Sequence, residues 1–89
     1  MNKYTFIMEI KGGTYIEQVI SSEVVTAKNI WLNHLSNEII ININDAELLL
    51  LKREIFESEP VLLQNLSNIW CFSLMLKKNY VLVNIVLTK

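Results

Sequence analysis

His34 and Cys71 are the one histidine and the one cysteine of the chain, and they are the side chains best suited to act as base or nucleophile. A general base needs a poised pKa beside a reacting group, and a histidine ligand needs companion ligands. His34 sits at the edge of an apolar helical stripe, and its one acidic neighbour at helical spacing is Glu38 at i+4. It reads as a boundary histidine bonded to backbone or water. Cys71 lies between Trp70 and Phe72 in a strand-like run, without the cationic neighbours or helix N-terminus that stabilise a thiolate. It reads as a small hydrophobe filling space. A Cys71–His34 nucleophilic pair would also lack an oxyanion hole and an orienting acid.

Three further patterns invite a chemical reading. Lys11-Gly12-Gly13-Thr14 lacks the G-x-x-x-x-G-K-[ST] spacing and runs into a strand, whereas a phosphate cradle feeds a helix N-terminus; a turn is expected there. Glu54, Glu57 and Glu59 crowd one helix end, but three flexible carboxylates without convergent ligands read as a solvated end. Trp31 and Trp70 project onto core faces, and base stacking would call for a basic groove beside them. The sequence therefore points to no catalytic residue, no metal site and no cofactor.

The elements around these residues follow from periodicity. Tyr4–Ile10 and Thr14–Ile20 alternate apolar and polar residues across a glycine pair, the pattern of a β-hairpin. A two-residue Gly12-Gly13 loop would set Glu17 on the face of Phe6 and Ile10. A three-residue loop, Lys11–Gly13, instead groups Phe6, Met8, Ile10, Ile16 and Ile20, and it is the expected register because a buried unpaired carboxylate is costly. Ser21 and Ser22 are N-cap candidates for a helix from about Glu23 to Leu35, with Val24, Ala27, Trp31 and Leu35 on one face and Lys28 near it, placed to snorkel. Ile39–Ile43 alternates and reads as a short strand. Asn44-Asp45-Ala46-Glu47 is a capping box that opens a second helix to about Glu57, with Leu48, Leu49, Leu51, Ile55 and Phe56 on one arc and Leu50 opposite. Pro60 ends that region, and 61–66 reads as a loop with at most one helical turn. Ile69–Leu76 and Tyr80–Thr88 are two strands about a Lys-Lys-Asn turn, Asn79 being suited to the left-handed position.

The order β-β-α-(β)-α-β-β predicts one α+β domain over residues 1–89: two layers, an antiparallel sheet of four or five strands with two helices on one face. The other face would then carry Ile7, Tyr15, Val19, Ile69, Cys71, Met75, Tyr80, Leu82 and Val86. Hydrophobic residues make up 52% of the chain and charged residues 19%, so little polar surface is available to cover this face. At roughly 25 cal/mol per Å², burying about 400 Å² is worth about 10 kcal/mol before association costs. A homo-oligomer, in the simplest case a dimer formed face to face or by joining sheet edges, is the expected outcome, with Ile7, Tyr15, Val19, Ile69, Met75, Tyr80, Leu82 and Val86 as the candidate interface.

Net charge is −1 and the cations are scattered, which disfavours direct nucleic-acid binding. No apolar run approaches the roughly 20 residues of a membrane span, no secretory signal pattern is read at the N-terminus, and a single cysteine suits a reducing compartment. A cytoplasmic location is expected. Three function classes follow: a non-enzymatic protein–protein interaction module that self-associates; a regulatory protein holding a partner protein; and a ligand-binding or enzymatic dimer with Tyr15, Gln18, His34 or Cys71 lining a shared cleft. For the second class, the β-β-α opening is similar to that of the HicB-type antitoxins, a resemblance covering about a third of the chain that implies inhibition of a partner toxin. That family's Asp-Leu-Pro-Gly-Cys pattern does not occur between strand and helix here.

Overall fold

A computed structural model describes residues 1–88. Seven elements follow in order: β1 (Asn2–Ile10), β2 (Gly13–Ser21), α1 (Val24–His34), α2 (Asp45–Glu57), β3 (Val61–Leu62), β4 (Ile69–Leu76) and β5 (Asn79–Thr88). The strands form one antiparallel sheet in the order β2-β1-β5-β4-β3, so the first and last strands of the chain lie side by side in its middle. Phe6, Met8 and Ile10 of β1, Val81, Val83 and Ile85 of β5, and Phe72 and Leu76 of β4 share one face. They are buried with Ala27 and Trp31 of α1 and Leu51 and Ile55 of α2. Trp31 stacks on Phe6 with ring centroids 4.7 Å apart and planes 13° from parallel, and Tyr4 meets Trp70 edge-on at 5.9 Å. Alternation in the last two strands thus marks the core.

The opening hairpin departs from its expected register. It closes on Lys11-Gly12, both at positive φ (49° and 78°), and pairs Ile10 with Gly13. A two-residue turn of this primed kind matches the twist of the strands it joins. Because side chains alternate, a slip of one residue turns the whole strand over. Tyr15, Glu17 and Val19 face the helices, while Ile16 and Ile20 face away. Two contacts make this arrangement tolerable. Glu17 is not an unpaired buried carboxylate, since it pairs with His34 of α1. The Tyr15 ring lies across Gly13, where a Cβ would come within 2.7 Å of the hydroxyl.

The expected strand over Ile39–Ile43 is absent. Residues 36–43 make turns with Asn42 left-handed (φ 64°), and they bury Ile40 and Ile43 while leaving Ile39 and Ile41 exposed. Spacing of three places two isoleucines in the core as plugs; strict alternation would have grouped Ile39, Ile41 and Ile43. The fifth strand is instead β3, two residues pairing with Trp70 and Cys71 in the region read as a loop. The β4–β5 turn is also two residues long, with Lys77, not Asn79, in the left-handed region (φ 56°).

Neither Ser21 nor Ser22 caps α1; Ser21 ends β2, and the cap residue Glu23 makes no side-chain cap bond. The capping box of α2 forms as read, the Glu47 N–H donating to Asn44 Oδ1 (2.8 Å) and the Asn44 N–H to Glu47 Oε1 (3.2 Å). The rotation of α2 differs from expectation: Leu50 packs against the core, while Leu49 and Phe56 are exposed beside Leu32 and Arg53 in an open groove between the helices. Among the described residues no helix is long and apolar enough to cross a membrane.

Candidate functional site

The helices cover one face of the sheet, so the other is defined by strand register alone. Reading across β2, β1, β5 and β4, one row is Ile16, Ile7, Asn84 and Cys71, with Val61 of β3 beyond it. A second is Gln18, Thr5, Val86 and Ile69; a third is Thr14, Glu9, Leu82 and Ser73; Tyr80 and Met75 close that end. Of the residues expected on an apolar docking face, Ile7, Ile69, Met75, Tyr80, Leu82 and Val86 lie here. Tyr15 and Val19 do not, because the register of β2 places them on the helix side. Ile16 and Ile20 take their place, 65% and 61% exposed. A polar strip interrupts the apolar rows: Gln18 Nε2 donates to Thr5 Oγ1 (3.1 Å), and the hydroxyls of Thr5 and Thr88 share a hydrogen bond of 2.7 Å.

The residues weighed for catalysis are spread over the molecule. His34 and Tyr15 are on the helix side, where the Tyr15 hydroxyl accepts from the Ile41 N–H (3.1 Å). Cys71 and Gln18 are on the open side. The sheet therefore separates Cys71 from His34, and no protomer can bring them together as a nucleophile and base. The partner of His34 is Glu17, across the tertiary fold, and not Glu38. Among the described residues no group of three or more His, Cys, Asp or Glu side chains is placed to hold a metal ion.

Two lysines are structural ties. Lys11 Nζ donates to the Asn42 carbonyl (2.7 Å) and to Glu47 Oε2 (3.0 Å), fastening the hairpin turn to the N-terminus of α2. The Lys11 bond, with that from the Asn44 backbone, holds the Glu47 carboxyl below its usual range. Lys11-Gly12-Gly13 is thus a turn and an anchor. Lys28 is 3% exposed and donates to the carbonyls of Phe56 (3.1 Å) and Ser58 (2.5 Å), capping the C-terminus of α2, where the helix dipole favours a cation. Burial lowers its pKa from 10.5, against the opposing pull of Glu59.

The sign of the resulting pH dependence is definite. With the folded pKa below the unfolded one, the unfolded chain binds more protons in the interval between them, so Lys28 makes stability rise with pH there. Lys28→Met removes both capping bonds and a desolvated charge, and the opposing effects should keep the change within about 2 kcal/mol at pH 7. Urea unfolding of both proteins should show the difference moving in favour of the wild type as pH climbs toward 10.5; a pH-independent difference would contradict the assignment.

No family model matches the chain, and no curated protein or solved structure shows detectable similarity to it. The β-β-α unit at the start is formed, and its likeness to HicB-type antitoxins remains one of element order.

Proposed function

We propose that this chain is a non-enzymatic, cytoplasmic interaction module that self-associates through an apolar face or edge of its sheet. One observation carries the reading: all the helical cover lies on one face of a five-stranded sheet, and around the polar strip of Gln18, Thr5 and Thr88 the other presents isoleucine, valine, leucine, methionine and tyrosine, with Lys3 and Glu9 as its only charged neighbours among the described residues. Four strands about 4.8 Å apart and about nine residues long, with the two-residue β3 beside them, offer roughly 600 Å² per protomer. Two such surfaces would bury about 1,200 Å², the lower end of the range for a specific complex. A second copy is the favoured occupant because the surface is nearly uncharged and so complements itself.

The regulatory alternative, an antitoxin-like protein holding a partner protein, would use the same surface against a different chain, and the β-β-α opening is what favours it. Light scattering over a concentration series separates the two. Self-association predicts a mass of at least twice 10.4 kDa at tens of micromolar; a monomer throughout the series would overturn it and leave the heterologous reading.

A further inference from the structure

We propose that β2 is the joining strand: a second copy pairs its own β2 antiparallel against it, about a two-fold axis through Gln18, to make one continuous sheet. This pairing presupposes the self-association proposed above and says where it occurs.

The two edges of the sheet are treated differently. β3 is two residues long and follows Pro60, and short strands and prolines are ways in which an edge is kept from pairing. β2 offers nine residues without proline or lysine, and its register with β1 runs without a bulge. Its Ile16 and Ile20 are exposed. On the helix side a groove lined by Tyr15, Glu17, Trp31, Leu35 and Ile39 runs along the same strand, so apolar surface borders this edge on both faces.

Hairpin register decides which backbone groups are free. In a two-residue hairpin the residues flanking the loop exchange both hydrogen bonds, and hydrogen-bonded and non-hydrogen-bonded pairs alternate from there. The series begins with Ile10 and Gly13, so Tyr15, Glu17 and Val19 turn their N–H and C=O groups toward β1. Thr14, Ile16, Gln18 and Ile20 turn theirs outward. A second β2 must match its own outward residues to these, which leaves three two-fold registers that use most of the strand. Centring on Glu17 sets two carboxylates directly opposite each other, which is destabilising. Centring on Ile16 carries Ile20 past the end of the joint, opposite the partner's Gly12. Centring on Gln18 sets Ile16 against the partner's Ile20 and Glu17 against the partner's Val19, pairs the two Gln18 residues, and forms about six backbone hydrogen bonds.

Gln18→Pro tests this directly. The Gln18 N–H points away from β1, so proline removes no backbone bond within the protomer, only the exposed side-chain bond to Thr5, and it blocks strand addition. The full chain, Q18P and Leu82→Lys on the open face should be compared at tens of micromolar by sedimentation velocity, with circular dichroism and thermal melting to establish folding. The expected result is a wild-type dimer, a folded Q18P monomer and an L82K dimer. Should Q18P fail to fold, the double variant I16K/I20K, which alters only exposed side chains, is expected to be the folded monomer. A folded Q18P or I16K/I20K that stays dimeric overturns the edge joint. If in addition L82K is monomeric, the contact is on the open face and self-association stands. A monomeric wild type overturns both.

Discussion

Trp31→Ala is expected to leave the protein largely unfolded at physiological temperature. Trp31 is 2% exposed, stacked on Phe6 and covered by the sheet, so truncation removes a large apolar group and leaves a cavity that rigid strands cannot close. Such replacements cost about 3–5 kcal/mol, against a total of roughly 5–15 kcal/mol for a domain, toward the lower part for a chain this small. At about 4–8 °C per kcal/mol, the melting temperature should fall by on the order of 20 °C. Trp31→Phe keeps a ring against Phe6 and should lose about half as much. Denaturant unfolding at one fixed protein concentration is the appropriate measurement, because association adds to apparent stability. A loss below about 1 kcal/mol in Trp31→Ala would mean that this side chain is not the centre of the core.

Ile40→Ala is expected to cost about 2–4 kcal/mol, whereas Ile41→Ala, one residue on, should change stability by less than about 0.5 kcal/mol. Ile40 is fully buried and Ile41 is 67% exposed. The contrast discriminates sharply between two conformations of this segment. In a strand with Ile39, Ile41 and Ile43 inward, Ile41 would be the costly position and Ile40 the neutral one. In the turn-rich connection, the Ile40 N–H donates to the Ser36 carbonyl (3.0 Å) and its side chain fills the space between the layers. Equal losses at the two positions, or the reverse order, would overturn the plug. A melting series on the two variants decides the matter.

The contrast between these isoleucines shows where local pattern stops being informative. Ile39-Ile40-Ile41-Asn42-Ile43 satisfies a period of two, and nothing within five residues tells a strand from a connection that docks every third side chain. Four consecutive leucines in α2 pose the same problem in another form. Leu48–Leu51 has no apolar period, so the roll of the helix is decided by what it meets on α1 and β4, and Leu50 turns inward while Leu49 turns out. The open face was legible in most positions because β4 and β5 alternate cleanly. It was misread on β2, where Ile16 and Ile20 could face either way and the choice hung on the fate of Glu17. The partner that makes Glu17 acceptable on the helix side is His34, seventeen residues away. Neither residue carries a local sign of the other.

What the sequence determined by itself was whatever depends on neighbours: two hairpins from glycine or polar turns between alternating runs, the capping box at Asn44 and Glu47, the helix end before Pro60, the alternating core of β4 and β5, and thus an α+β domain with an antiparallel sheet. Tertiary structure alone decided the order β2-β1-β5-β4-β3, the face on which each residue of β2 lies, the plugging of the core by Ile40, and the capping of α2 by Lys28 from another helix. The physical reason is the range of the interactions. Turn dihedrals, caps and amphipathic period act over a few residues and are written in adjacent letters. Register and helix roll are chosen by which of two nearly equivalent local arrangements buries more apolar surface and leaves fewer polar groups unpaired, and the groups that settle it come from distant parts of the chain.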